Sequence, residues 1–125
     1  MTTLLLVEDN EMNRDAVSRL LERRGFAVIL AEDGECGIAL CRSAMPDLVL
    51  MDLGLPGIDG FEATRRLKGD STTSHIPVIA LTARALLSDQ QAAFAAGCDD
   101  YDTKPVDMTR LVGKIRSLLG LEGTP

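Results

Sequence analysis

The sequence predicts a single α/β domain in which helices cover both faces of a parallel sheet. Four apolar runs lack the polar alternation of a half-exposed strand, and they are Leu4–Val7, Phe26–Leu30, Leu48–Met51 and Pro77–Leu81. A segment with helical periodicity follows each run, so strands and helices alternate along the chain. Continuously apolar strands that alternate with helices are typical of a parallel sheet buried on both faces. The 125 residues suffice for one such domain with its own core.

The first two helices are predicted from apolar spacing and from residues that begin or end helices. The first helix covers residues 10–24, and Gly25 ends it. Its apolar positions at helical spacing are Ala16, Val17, Leu20 and Leu21. Asp33 caps the second helix, which runs from Gly34 to about Ser43.

The next two helices carry sequences that resemble capping boxes, in which a short polar side chain precedes Glu or Gln by three positions. Asp59 and Glu62 form one such pair, at the start of a helix that continues to Lys68. Ser88 and Gln91 form the other pair, which predicts that the fourth helix begins at Ser88.

The last strand and helix close the domain. Residues 99–103 form a weaker and more polar strand, which suits the edge of a sheet. Asp107 caps a final helix that ends at Leu119 and Gly120. The domain is therefore expected to span residues 1–125, with a core of about 3–120 and a short tail from 121 to 125. The initial methionine and the short tail favour a stand-alone protein over a piece of a longer one.

The composition excludes several classes of function. The net charge is −6, with 13 basic and 19 acidic residues, so a nucleic-acid surface is not expected. No apolar stretch approaches the ~20 residues that cross a bilayer, and the N-terminus lacks the basic region of a signal peptide. We therefore predict a cytoplasmic protein. Cys36, Cys41 and Cys98 have neither the number of a disulfide framework nor the spacing of a metal site.

Polar side chains follow four of the predicted strands, at the points where the strands end. They are Glu8 and Asp9, then Asp52, Thr82, and Lys104 with Pro105. Ligands of open α/β sheets bind outside the carboxyl ends of the strands, so these groups are expected to converge. A single acid at such a point is often only the cap of the next helix, and Asp9 or Asn10 could serve that way. The convergence of three carboxylates, a hydroxyl and a lysine favours a site.

The convergence of these groups predicts a chemistry. Carboxylates repel each other by roughly 4 kcal/mol per pair at ~4 Å and an effective dielectric of ~20, and a hard divalent cation removes that cost. Mg²⁺ binds one or two carboxylates, a carbonyl and water, and leaves room for a phosphate oxygen. Lys104 and Thr82 supply a positive charge and a hydroxyl donor. The set would stabilise a phosphoryl group in transfer to a carboxylate nucleophile.

Four segments of the chain resemble the receiver (CheY-like) domain of two-component response regulators. They are LLLVEDNEMNR, PDLVLMDLGLPGIDGFE, IPVIALTARA and GCDDYDTKPV, and the resemblance extends from Leu4 to about Leu119. It implies a flavodoxin-like (βα)5 fold with a doubly wound five-stranded parallel sheet of order 2-1-3-4-5. It also implies a phosphorelay signalling protein that does no chemistry beyond its own phosphorylation and dephosphorylation.

The resemblance implies a role for each residue at the strand ends. Asp52 would accept a phosphoryl group from a phosphohistidine of a histidine kinase or phosphotransfer protein. Glu8, Asp9, Asp52 and the backbone carbonyl of Gly54 would bind Mg²⁺, for which Mn²⁺ or Ca²⁺ could substitute in a crystal. Thr82 and Lys104 would contact the phosphoryl group. The bond between Lys104 and Pro105 would be cis.

The resemblance further implies a switch. Thr82 would turn toward the phosphoryl group, and Tyr101 would rotate into the space that Thr82 leaves. The surface of the fourth helix, fifth strand and fifth helix would then change, and with it the contact with a downstream protein. The chain departs from the common pattern in three places: Glu8 replaces an aspartate, and Gly54 and Arg84 occupy two positions that modulate the lifetime of the phosphorylated state.

Three other readings stay open from the sequence. A haloacid dehalogenase-like phosphatase uses similar groups, but it places a second acid two residues after the nucleophile, where this chain has Gly54. A flavodoxin shares the fold, but its phosphate loop would be replaced here by Glu8, Asp9 and Glu11, which repel phosphate. An unreactive interaction module with the receiver fold is the third. Loss of Asp52, Thr82 or Lys104 would indicate that module, and all are present.

Overall fold

The computed structural model describes residues 1–83 and 86–121, and within these ranges parallel strands form one sheet. The strands are β1 (Thr3–Val7), β2 (Ala27–Ala31), β3 (Leu48–Asp52), β4 (Val78–Thr82) and β5 (Asp100–Thr103). Their order is β2-β1-β3-β4-β5, which confirms the predicted topology. The order in which strands are added to the sheet reverses between β1 and β3, so a ligand is expected at the carboxyl ends of these two strands.

Helices cover both faces of the sheet. They are α1 (Glu11–Arg23), α2 (Gly34–Ala44), α3 (Gly60–Gly69), α4 (Leu87–Ala96) and α5 (Met108–Leu119). One core lies under α2, α3 and α4, and it includes Ile38, Leu67 and Ala93. The other lies under α1 and α5, and it includes Leu21 and Leu111. The central strand β3 is buried along its whole length, as its apolar sequence predicts.

Most helix starts agree with the caps expected from the sequence. The side chains that accept a backbone N–H at a first turn are Asn10, Asp33, Asp59 and Asp107. The prediction for α4 is wrong: Leu86 is the N-cap residue, no side chain caps this helix, and Ser88 is its second residue. Leu86 has an extended backbone, so the chain enters the helix before Ser88 is reached. The acid Asp89 still lies in the first turn, where the helix dipole favours it.

The start of α3 lies against the end of β3. A Cβ atom built on Gly60 would come 2.3 Å from the carbonyl oxygen of Asp52, which is closer than any side chain allows. Gly60 thus lets the backbone of α3 approach Asp52 directly, and the amide of Gly60 also bonds the carbonyl of Leu53 at 3.3 Å. This contact fixes the loop that follows Asp52. Within the described ranges, none of the helices has the length and apolar composition needed to cross a membrane.

Candidate functional site

The side chains that the sequence placed at the strand ends lie at one edge of the sheet. Asp52 and Thr82 are the last residues of β3 and β4, and Glu8 and Lys104 directly follow β1 and β5. Parallel register aligns these ends, since Asp52 pairs with Leu81. Glu8, Asp52 and Thr82 are buried, although each carries a polar group. Buried polar groups at a strand end require partners, and the structure provides them.

Lys104 lies between two of the carboxylates. Its Nζ atom donates to Oε1 of Glu8 at 2.8 Å and lies 3.0 Å from Oδ2 of Asp52. Burial alone would lower the pKa of the Lys104 ammonium, but its contacts with Glu8 and Asp52 outweigh burial and raise that pKa. Lys104 is therefore a fixed positive charge at this edge. The peptide bond between Lys104 and Pro105 is cis, as the resemblance implied.

Glu8 is held from several directions. Its amide donates to the carbonyl of Ala31 at 3.0 Å, and its Oε2 accepts the amide of Asn10 at 3.2 Å. Its carbonyl oxygen accepts a hydrogen bond from the guanidinium of Arg14 at 2.8 Å. Burial raises the pKa of the Glu8 carboxyl, and the neighbouring Asp52 adds to that rise, whereas Lys104 and the Asn10 amide oppose it. The charged form of Glu8 is thus held at a cost that a further cation would relieve.

The three carboxylates form a set that fits a hard divalent cation. One oxygen each from Glu8, Asp9 and Asp52 lie within 4.8 Å of one another. Asp9 is exposed, and Asn10 takes the role of N-cap of α1, so the carboxylate of Asp9 stays available. Oxygen donors of this kind suit Mg²⁺ or Ca²⁺ rather than a soft metal. The amide of Gly54 donates to Oδ1 of Asp52 at 3.0 Å, which fixes the orientation of that carboxylate.

A cleft of about 370 Å³ opens beside Asp52. Gly54, Thr82 and Lys104 line it, as the sequence led us to expect. Phe61 and Asp89 also line it, and sequence reasoning missed both. Each lies in the first turn of a helix that starts near the edge, which is the signal that could have found them. Arg84, predicted to modulate the lifetime of the phosphorylated state, lies outside the described residues.

Tyr101 lies on the edge strand β5, and its ring contacts residues of α4 and α5. Its ring meets the ring of Phe94 edge to face, with centroids 5.9 Å apart and planes at 88°. The Nζ atom of Lys114 lies 5.0 Å from the centroid of the Tyr101 ring and bonds the Tyr101 carbonyl. The ring is half-buried and is thus placed where α4, β5 and α5 meet.

Comparisons with known proteins agree on one family. Residues 4–116 match the model of the response regulator receiver domain. The chain is 40% identical over 118 residues to the polar-differentiation response regulator DivK of Brucella anthropi, and the match covers 94% of this chain and 96% of that protein. DivK of Brucella ovis matches to the same extent.

Solved structures resemble the fold closely. One is the receiver domain of a sensor histidine kinase from Pseudomonas aeruginosa, with a magnesium ion coordinated in its active site cleft; its TM-score is 0.89 at 34% identity, covering 95% of this chain and 98% of that one. Another is the chemotaxis protein CheY4 of Vibrio cholerae, with a TM-score of 0.89 at 27% identity, covering 95% of this chain and 99% of that one.

Proposed function

This chain belongs to the response regulator receiver domain family of two-component signalling, and from that premise we propose that it is a phosphorelay receiver that is phosphorylated on Asp52. Receiver domains are signalling modules rather than enzymes that turn over a substrate. The observation that carries the proposal is the position of Asp52, a buried carboxylate 3.0 Å from Lys104 and grouped with Glu8 and Asp9. A cytoplasmic location belongs to the same proposal, since Cys36, Cys41 and Cys98 are free thiols.

The proposed reaction moves a phosphoryl group from a histidine to Asp52. A carboxylate oxygen of Asp52 forms a bond to phosphorus while the bond between phosphorus and the donor imidazole nitrogen breaks. The electron pair of the broken bond stays on the imidazole, so no oxidant or further reactant is needed. The donor is the phosphohistidine of a histidine kinase or of a phosphotransfer protein.

The residues around Asp52 support this transfer. The Gly54 amide keeps the Asp52 carboxylate oriented, and Lys104 is close enough to meet a phosphoryl oxygen on it. Glu8, Asp9, Asp52 and the backbone carbonyl of Gly54 would hold Mg²⁺, as three oxygens within 4.8 Å suggest. When bound, Mg²⁺ supplies positive charge to the phosphoryl oxygens in flight. Thr82 lines the same cleft and offers its hydroxyl to the group once it has arrived.

Phosphorylation is proposed to change the surface formed by α4, β5 and α5. An aspartyl phosphate adds roughly two negative charges and new acceptor oxygens beside Thr82 and Lys104. If Thr82 turns toward them, Tyr101 rotates into the vacated space and leaves its contact with Phe94. A few kcal/mol of differential stability suffice to move such a two-state population. The downstream protein partner would then read the altered surface.

Incubation with acetyl phosphate and Mg²⁺, followed by intact mass measurement, tests the phosphoacceptor. Wild type is expected to gain one phosphoryl group, and Asp52→Asn is expected to gain none. Asp59→Asn is the matched control, because it removes a neighbouring acid while Asn still caps α3. An adduct on Asp52→Asn would mean that the acceptor is another residue. No adduct on wild type would favour the unreactive module, and turnover of a generic phosphate ester would favour the phosphatase.

Beryllofluoride, which mimics a phosphoryl group on a carboxylate, tests the switch. The NMR signals of the Tyr101 ring are expected to move on its addition, and Thr82→Ala is expected to suppress the movement. A ring that stays on Phe94 in the loaded wild type would refute the coupling and leave the phosphoacceptor proposal intact.

A further inference from the structure

Arg14 lies in α1 and contacts the loop of residues 8–10, which follows β1 and carries the acids Glu8 and Asp9. It lies one turn into α1, after the N-cap Asn10, and its Nη1 atom donates to the backbone carbonyl of Glu8 at 2.8 Å. The carbonyl of Glu8 belongs to the peptide unit that also contains the amide of Asp9. Because a peptide unit is planar, a bond to this carbonyl fixes the plane from which the Asp9 backbone departs.

The other anchors described for residues 8–10 act on Glu8 and Asn10, on either side of this peptide. The Glu8 amide is tied to Ala31, its side chain is tied to Lys104 and to the Asn10 amide, and Asn10 itself caps the helix. These bonds fix the residues on either side of Asp9. The Arg14 contact lies on the one peptide that joins Glu8 to Asp9, so it is the bond best placed to set the direction of the Asp9 side chain.

We propose that Arg14 is a positioning residue for divalent-cation binding: by holding the peptide between Glu8 and Asp9, it keeps the Asp9 carboxylate near those of Glu8 and Asp52. This role rests on the proposed Mg²⁺ site. Partners that orient metal ligands from outside the ligand set commonly change metal affinity by about 10- to 100-fold when they are removed.

A purely electrostatic role for Arg14 predicts the opposite result. The guanidinium of Arg14 is a positive charge bonded to the backbone of Glu8, and it repels a cation that approaches the carboxylates, so its removal would tighten Mg²⁺ binding. The positioning role predicts that removal weakens binding even though the chain becomes more negative. The sign of the change therefore separates the two roles.

Calorimetric titration with Mg²⁺ alone, on the unphosphorylated full chain, gives that sign. Arg14→Met is expected to weaken binding about tenfold. Arg14→Lys keeps the charge but not the fixed guanidinium geometry, and it is expected to fall between Arg14→Met and wild type. Arg19→Met is the matched control: Arg19 lies on the same helix, is 70% exposed and pairs with Asp15 at the surface, so its loss should leave affinity unchanged or slightly raised.

Each outcome bears on the proposal. Mg²⁺ binding by Arg14→Met as tight as wild type, or tighter, would overturn the role of Arg14 and leave the metal site standing. If Arg14→Met does not fold, Arg14→Lys decides, because wild-type affinity in that variant would overturn the positioning role. Absence of Mg²⁺ binding by wild type would instead overturn the metal site itself, and with it the role given to Arg14. A displaced Asp9 amide signal in metal-free Arg14→Met, with no change in Arg19→Met, would support the role independently.

Discussion

The ammonium group of Lys104 lies 3.0 Å from the carboxylate of Asp52, although Asp52 ends β3 and Lys104 follows β5. The same ammonium donates to Glu8 at 2.8 Å, so one cation serves two buried carboxylates. Such an arrangement costs desolvation energy and is stable only while the positive charge is present. Lys104 thus makes the acidic site compatible with the folded state and holds a charge ready for an incoming anion.

Removal of Lys104 is expected to destabilise the fold. In Lys104→Met, Glu8 and Asp52 lose their common cation and repel each other. Breaking a buried pair in this way costs about 3–5 kcal/mol, and since the Lys104 side chain is 23% exposed we expect about 2 kcal/mol. Urea denaturation in the presence of a chelator measures the loss. Arg65→Met, which breaks an exposed ion pair on α3, should change stability little, and an equal loss in both variants would contradict this interpretation.

The raised pKa of Glu8 predicts a pH dependence of stability. In the folded state Glu8 holds its proton above its ordinary pKa of 4.5, because it is buried beside Asp52. The folded protein therefore binds more protons than the unfolded chain over this interval, and stability falls as pH rises from 4.5 through the folded pKa. Glu8→Gln is expected to remove this decrease of the free energy of unfolding with rising pH. Without metal, the variant should be more stable than wild type at neutral pH.

Denaturation of Glu8→Gln and wild type at a series of pH values, with chelator and then with Mg²⁺, checks this expectation. Mg²⁺ should stabilise wild type more than Glu8→Gln, since the variant lacks one carboxylate of the set. Parallel stability curves from pH 4.5 to neutrality would show that Glu8 does not carry the dependence.

The sequence predicted which polar side chains lie together where topology alone determines position. In a parallel sheet every strand delivers its last residue to the same edge, so Asp52, Thr82 and Lys104 could be placed together from their order in the chain. Caps with a short polar side chain, such as Asp33, could be predicted for a different reason, because their hydrogen bonds are local in sequence.

Contacts that depend on the packing of separate elements could not be predicted. The polar sequence of β5 suggests an exposed edge strand, yet Asp102 is 2% exposed because it faces α5. The predicted start of α4 was wrong because Ser88 and Gln91 have the spacing of a capping box, yet Ser88 lies within the helix. Arg14 reaches the Glu8 carbonyl from within α1, and no spacing rule assigns that contact.

The ion pair between buried Asp102 and partly exposed Arg110 is expected to contribute little net stability. Oδ1 of Asp102 accepts from Nε of Arg110 and from the Thr103 amide, each at 2.8 Å, and its Oδ2 has no hydrogen-bond partner among the described residues. Arg110→Ala should cost about 2 kcal/mol because it leaves the acid unpaired; the estimate is below the ~3 kcal/mol typical of buried pairs, since Arg110 is 45% exposed.

The double variant Asp102→Leu/Arg110→Leu should be as stable as wild type or more so, because Leu at the buried position 102 removes a desolvated charge that Arg110 offsets only in part. Chemical denaturation of Asp102→Leu, Arg110→Leu and the double variant gives the coupling between the two positions. A double variant less stable than Arg110→Ala would mean that the pair contributes specific stability.

Gly54 is expected to shorten the life of a phosphoryl group on Asp52. A Cβ atom at position 54 would lie 3.8 Å from Oδ1 of Asp52, an ordinary contact distance, so a side chain fits there without strain. In Gly54→Met the new side chain would cover the cleft beside Asp52 and exclude water from the acyl phosphate. The phosphoryl group should therefore be lost severalfold more slowly in Gly54→Met than in wild type. Intact mass measured over time after the donor is removed gives the rate of this loss.

Gly113→Ala is the control: Gly113 lies on the exposed side of α5, so the substitution should raise stability by about 0.5–1 kcal/mol and leave the decay unchanged. Decay as fast in Gly54→Met as in wild type would mean that hydrolytic water reaches Asp52 by a path that does not pass position 54.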